Sequence, residues 1–141
     1  LGEGWGIIFS HPADFTPVCT TEIGAAAKAA PEFEKLNCKF VGISVDSAES
    51  HVKWIEDVNE TQKCQVAFPM VADADRKIAD LYGMIAPNAP DTLAGKLTVR
   101  SVFFVTPARK LMCQLTYPAS TGRSFPELMR VLRSLQLTVN S

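Results

Sequence analysis

The chain has 141 residues, of which 47% are hydrophobic and 21% charged, the size and balance of one globular domain that buries about two-thirds of its unfolded surface. Fourteen basic residues against fifteen acidic ones leave a formal net charge of −1, so no broad basic face is available for a phosphate backbone and no nucleic-acid partner is expected. No apolar run reaches the roughly 18 to 20 residues that cross a bilayer, and the alanine-rich stretch 24–30 is broken by Lys28, so no membrane span is expected.

The opening residues resemble neither a basic targeting segment nor a signal peptide, and the chain is expected to begin inside a domain. Residues 5–10, WGIIFS, form a continuous apolar run that reads as a strand buried on both faces, ended by His11-Pro12. Residues 12–17 read as a loop. Thr16-Pro17 then makes a helix start, with a hydroxyl at the cap and proline at the first helical position, so Cys19 falls in the first turn. This alanine-rich helix runs towards Leu36, and Pro31 is expected to kink or split it. Residues 39–45 form a second strand. Asp46-Ser47 opens an amphipathic helix through Val52, Trp54, Ile55 and Val58. A short strand at 68–71, a helix at 74–82 closed by Gly83, and a loop at 84–95 follow. Runs at 99–106 and 110–117 flank Pro107-Ala108-Arg109 as an antiparallel hairpin, and a last helix covers 125–137. Helices alternating with strands, then a hairpin and a helix, give an α/β chain with a central mixed β-sheet flanked by helices on both faces. That order suits a thioredoxin-like fold.

A thiol attacks as its thiolate, and an ordinary pKa of about 8.5 leaves little thiolate at neutral pH. The first turn of a helix favours negative charge through unpaired amide N–H groups and aligned peptide dipoles. Cys19 has that setting, in a loop stiffened by Pro12 and Pro17. A buried structural cysteine is the competing reading, and the residue types leave both open. Cys19-Thr20-Thr21-Glu22 lacks the fourth-position cysteine of a dithiol reductase, which speaks against a thioredoxin-like thiol-disulfide oxidoreductase.

The segment from His11 to Glu22, HPADFTPVCTTE, resembles the active-site segment of peroxiredoxins, whose P-x-x-x-T-x-x-C pattern is met by Pro12, Thr16 and Cys19. The resemblance extends through Ser44-Val45-Asp46-Ser47, the strand from Arg100 and the segment YPASTGRSF at 117–125, and so covers nearly the whole chain. Ser10-His11-Pro12 and the later Tyr-Pro-Ala-Ser-Thr-Gly-Arg resemble the one-cysteine subgroup in particular. The resemblance implies a thiol-dependent peroxidase acting on hydrogen peroxide and alkyl or lipid hydroperoxides. Cys19 would be the nucleophile, passing through a sulfenic acid that an external thiol, glutathione or a thioredoxin-like protein, reduces. It implies that Thr16 holds the peroxide, that Arg100 stabilises thiolate and leaving oxygen, that Pro12 shields the sulfur, and that Glu22 and Arg123 pair in support. Arg100 and Arg123 read alone are equally solvated residues, and Ser124 offers a cap to the last helix.

His11 borders the loop, either binding substrate, or acting near a metal or the thiolate as the resemblance implies for some members of the subgroup, or bonded to a backbone carbonyl, while His51 is expected to be exposed on its helix. Two histidines and four scattered cysteines give no ligand spacing for zinc, and no haem or flavin motif is present, so neither metal nor cofactor is expected. Cys38, Cys64 and Cys113 read as buried packing residues, without excluding a resolving role. Their wide spacing favours a reducing, cytoplasmic location. The subgroup's lipase serine has Gly4 in its place, and Ala108 stands where an aspartate is expected. Residues 1–141 are expected to form a peroxidase domain lacking the family's N-terminal hairpin and C-terminal dimerisation region, and the resemblance implies a homodimer. A non-enzymatic redox-sensing or holdase protein remains the alternative outside enzymes.

Overall fold

The computed structural model describes residues 4–14, 17–73, 75, 77–82, 100–118 and 121–140. Its elements are β1 (Trp5–Ser10), α1 (Pro17–Glu34), β2 (Cys38–Ser44), α2 (Ala48–Thr61), β3 (Met70–Ala72), α3 (Lys77–Leu81), β4 (Arg100–Val105), β5 (Leu111–Tyr117) and α4 (Phe125–Asn140). The strands form one sheet in the order β3-β2-β1-β4-β5. β2 runs parallel to β1 and β3, while β4 is antiparallel to both β1 and β5, so the sheet is mixed.

Alternation along the strands separates the two faces. Ile7 and Phe9 of β1, Phe40 of β2 and Val102 and Phe104 of β4 join the larger core with Ile23 of α1, Trp54 of α2 and Leu128 and Leu132 of α4. The intervening Ile8 and Phe103 point the other way and pack with Ile43 and with Ala79 of α3. Helices therefore cover both faces, and β1 is buried along nearly its whole length. Phe9 meets Phe40, Phe68 and Phe125 edge-on or tilted at centroid distances of 5.5 to 6.5 Å, the arrangement aromatic quadrupoles favour.

Several boundaries differ from the sequence reading for local reasons. Pro31 does not split α1, because it sits on the exposed side of the last turn and forgoes a single backbone bond. Asn37, at φ 57°, ends that helix in the left-handed region, and its carbonyl accepts from Trp5 N at 2.8 Å. A Cβ on Gly4 would lie 2.7 Å from that same carbonyl, so the turn has no room for the side chain of a serine. Among the described residues α3 spans Lys77–Leu81, and Asp73 accepts from the N–H groups of Ile78 at 3.2 Å and Ala79 at 2.7 Å at its start. β3 begins after Pro69, two residues later than expected. The hairpin forms as read, with Arg109 at φ 66° in its turn. Gly83 and the loop 84–95 lie outside the described residues.

The topology converges on one edge. The C-terminal ends of β1, β2 and β3 lie together, where open α/β sheets place their sites. Because β4 runs against β1 with Val102 opposite Phe9, its first residue, Arg100, lies just past the end of β1.

Candidate active site

Cys19 is the third residue of α1, and its sulfur sits at the helix N-terminus, where the peptide dipoles present positive potential. Arg100 shares the face of β4 that carries Val102 and Phe104, and its Nη1 donates to Cys19 Sγ at 3.1 Å. The same Nη1 lies 2.6 Å from Glu22 Oε1. Glu22 is one turn along α1 and also accepts from Arg123: from its backbone N at 2.5 Å, its Nε at 2.9 Å and its Nη2 at 3.0 Å. Arg123 Nη1 in turn donates to the Ser101 carbonyl at 2.8 Å, and its guanidinium lies over the Phe9 ring at 5.6 Å. All four side chains are buried. Burial alone would raise the Glu22 carboxyl, but the hydrogen bonds and charge of Arg123, with the charge of Arg100, hold it below the usual carboxylate range. One carboxylate thus carries two guanidiniums, and one of them is aimed at the sulfur. Of the readings open for Arg100 and Arg123 this burial rules out the solvated one, and Glu22 and Arg123 pair as the resemblance implied.

A second buried cluster approaches the same loop. Asp14 Oδ1 lies 2.7 Å from His11 Nε2, and Asp14 Oδ2 lies 2.8 Å from His51 Nδ1 and accepts from Ser50 Oγ at 2.8 Å. The Asp14 backbone N donates to Asp46 Oδ2 at 2.9 Å, and that oxygen also accepts from Ser44 Oγ at 3.0 Å. Burial opposes ionisation of Asp14, yet its bonds to His11, His51 and Ser50 hold its carboxyl far below the ordinary value. His51, expected at the surface, is buried, and this is a correction: the inward stripe of α2 is His51, Trp54 and Val58, while Val52 faces solvent. Trp54 Nε1 donates to Thr20 Oγ1 at 3.0 Å, and its ring lies 4.8 Å from that of His11.

The sequence spacing showed no metal site, but the fold brings three metal-capable residues together. Ligand atoms of His11, Asp14 and His51 lie within 4.8 Å of one another. The atoms that face one another, His11 Nε2, the two Asp14 carboxylate oxygens and His51 Nδ1, are joined by the hydrogen bonds just described.

Pro12 is buried beside this loop. Thr16 lies outside the described residues. Cys19 itself is fully buried, with 0% exposure. Of the other cysteines Cys38 is buried, and burial pushes its thiol up to about 12. Cys64 and Cys113 are only partly buried, against expectation. All four cysteines are free. The residues missed from sequence are Asp14, His51, Trp54 and Thr20. A spacing of three and then four residues through His51, Trp54 and Val58 was the signal that could have found the buried face of α2.

The chain belongs to the AhpC/TSA family, whose profile matches residues 1–113. Within it, the chain is 57% identical over 138 residues to a 1-Cys peroxiredoxin of Dictyostelium discoideum, covering 98% of this chain and 56% of that protein. It is 50% identical over 142 residues to peroxiredoxin-6 of Gallus gallus, covering 98% of this chain and 63% of that protein. The chain therefore spans under two-thirds of the length of these curated relatives. Among solved structures, peroxiredoxin 6 of Arenicola marina superposes with a TM-score of 0.92 at 41% identity over 99% of this chain and 64% of that one. A yeast mitochondrial 1-Cys peroxiredoxin gives 0.88 at 46% identity over 99% of this chain and 67% of that one. The thioredoxin-like fold and the resemblance to one-cysteine peroxiredoxins both stand.

Proposed function

We propose that residues 1–141 form the peroxidase domain of a one-cysteine thiol peroxidase, with Cys19 as the nucleophile. The observation that carries this reading is the 3.1 Å contact between Arg100 Nη1 and Cys19 Sγ at the start of α1, with Glu22 and Arg123 fixing the guanidinium. The thiolate attacks the terminal oxygen of a hydroperoxide, an S–O bond forms as the O–O bond breaks, and the electron pair leaves on the second oxygen. That oxygen takes a proton and departs as water or alcohol, leaving Cys19 as sulfenic acid. One external thiol condenses with the sulfenic acid to a mixed disulfide and water, and a second thiol releases Cys19 as the thiolate and leaves as a disulfide. Arg100 favours both the charged sulfur and the charge passing to the leaving oxygen. Thr16 holds the peroxide, Pro12 screens the sulfur from water, Glu22 and Arg123 orient Arg100, and His11 supports the loop.

The yeast relative's structure is described in terms of thiol resolution through glutathione and thioredoxin systems, which supports the same two reductants here. A cytoplasmic location and a homodimer complete the proposal. Mixing the reduced protein with hydrogen peroxide or cumene hydroperoxide, then with each reductant, tests it. Peroxide is consumed by the wild type and not by Cys19→Ser, with sulfenic acid on Cys19 by mass spectrometry. Unchanged turnover in Cys19→Ser sinks the assignment, and a disulfide from Cys19 to Cys38, Cys64 or Cys113 overturns the one-cysteine cycle.

A further inference from the structure

The chemistry at Cys19 leaves unexplained why a carboxylate and two imidazoles are buried at its edge. Asp14 lies between the two rings, 2.7 Å from His11 Nε2 and 2.8 Å from His51 Nδ1. A carboxylate oxygen only accepts, so both facing nitrogens carry hydrogens. The other nitrogen of His51, Nε2, lies 3.2 Å from the Val71 carbonyl, which also only accepts. Both nitrogens of His51 therefore donate, and its partners alone make it an imidazolium paired with Asp14.

That ion pair ties α2 to the reactive turn on both sides of the cysteine. Asp14 stands in the loop between β1 and α1, and Trp54, one turn along α2 from His51, donates to Thr20, the residue after Cys19. The loop's backbone is tied to the same region, with His11 N donating to the Ile43 carbonyl at 3.1 Å and Asp14 N to Asp46 Oδ2 at 2.9 Å. One face of α2 grips the chain before and after the nucleophile. We propose that His51 is a positioning residue for Cys19: its imidazolium clamps Asp14, and through Asp14 the loop that delivers the reactive helix, so that peroxide chemistry depends on a proton held on α2.

The proposal rests on the peroxidase reading and adds a pH dependence to it. The titratable groups facing His51 are Asp14 and His11 from the loop and Asp46 from the turn after β2. From β3 and from its own helix come the Val71 carbonyl and the Ser50 hydroxyl, the latter bound to Asp14. Burial pushes His51 down, but Asp14 outweighs it and the net direction is upward from 6.5. Burial pulls His11 the other way, so it is neutral at neutral pH. The clamp is therefore closed while His51 carries both hydrogens and opens as pH rises through its raised value, when a neutral ring must give up either Asp14 or Val71.

The test uses the full-length protein. Nitrogen-15 spectra at pH 7 are expected to find both nitrogens of His51 protonated, and a bare nitrogen on His51 overturns the proposal. In stopped-flow oxidation by hydrogen peroxide, His51→Ala is expected to lose roughly tenfold or more in second-order rate, the scale of a sub-ångström to one-ångström misplacement. His51→Asn keeps a donor towards Asp14 without a titrating proton; it is expected to recover most of the rate and to lack the alkaline decline of the wild type. An alkaline decline at the same pH in His51→Asn, or a folded His51→Ala within twofold of wild type, overturns the proposal. If His51→Ala does not fold, the pH profile of His51→Asn decides. Micromolar Zn²⁺ binding to the wild type that His51→Asn abolishes would mark the cluster as a metal site and also overturn it. Failure of the wild type to oxidise at Cys19 would sink the peroxidase reading, whereas the nitrogen spectra judge the clamp independently.

Discussion

Replacing Glu22 by Gln removes the one negative charge shared by two buried guanidiniums and keeps nearly the same shape. In the wild type the carboxylate accepts three bonds from Arg123, at 2.5, 2.9 and 3.0 Å, and one from Arg100, at 2.6 Å. The amide keeps one accepting oxygen but turns an NH₂ donor towards donors. Removing one partner of a buried pair costs about 3–5 kcal/mol, and the retained oxygen places Glu22→Gln near the lower end. For a domain of this size, at roughly 3–4 °C per kcal/mol, Tm should fall by about 10 °C at pH 7. The pH dependence is the sharper check. A carboxyl whose folded pKa is depressed contributes stability that is full above its unfolded value, near 4.5, and is lost as pH falls through the folded value. The gap between wild type and Glu22→Gln should therefore be wide at pH 7 and narrow below about pH 4.5. Asp14 also titrates in acid, but it does so in both proteins and cancels in the difference. Thermal unfolding followed by near-ultraviolet circular dichroism between pH 3 and 8 measures this. A gap that does not vary with pH, or a Tm within about 3 °C of wild type at pH 7, refutes the reasoning.

Arg100→Lys keeps the charge but loses the rigid, planar guanidinium that holds Nη1 against both Cys19 and Glu22, and peroxide oxidation of Cys19 should slow by about 10²-fold in stopped-flow fluorescence; a loss below threefold would remove Arg100 from the chemistry. Trp54→Phe keeps a ring against His11 but drops the bond to Thr20, which should cost about 1 kcal/mol, or roughly 3 °C in Tm, and a more stable protein would contradict the role given to that bond. In the native protein a maleimide at pH 7 should label Cys64 and Cys113 well before Cys38, whose thiol is buried and pushed up to about 12; early labelling of Cys38, read by peptide mass mapping, would contradict that burial.

Much of the fold was legible because its signals are local. The apolar run 5–10, the Ser47 cap, whose side chain accepts from Ser50 N at 3.1 Å, and the Pro107–Arg109 turn each carry their structure in adjacent residues. Cys19 in the first turn of a helix was readable for the same reason. The misreadings arose where distant groups decide the outcome. Asp73 accepts from the N–H groups of Ile78 and Ala79, five and six positions on, at the start of α3, a contact the local composition does not show. His51 was read as a surface residue because a histidine interrupts an apolar stripe. Its burial depends on Asp14, 37 positions away, which supplies the counter-charge without which the ring could not enter the core. Arg100 and Arg123 taken alone could equally be solvated charges, and only the resemblance placed them at the site; Glu22, 78 and 101 positions away, is the partner that buries both.

The same distances explain why the reactive turn is held so firmly. A nucleophile at a helix start could be built from a dozen adjacent residues, yet such a turn has little apolar surface of its own to stabilise one conformation. Here three separate elements fasten it. β4 contributes Arg100, because a strand antiparallel to β1 begins where β1 ends. The segment before α4 contributes Arg123, which closes on Glu22. α2 contributes His51 and Trp54, which hold Asp14 before the cysteine and Thr20 after it. Each attachment is polar and directional, so each specifies where the sulfur sits as well as contributing to stability. The burial of Cys19 follows from the same arrangement: charged groups that stabilise a thiolate act most strongly where water is excluded. On the proposed reaction the turn must then loosen to admit a peroxide. Of the three attachments, the α2 clamp is the one proposed to depend on a titrating imidazolium, which makes it the place where the fold can set how easily that loosening occurs.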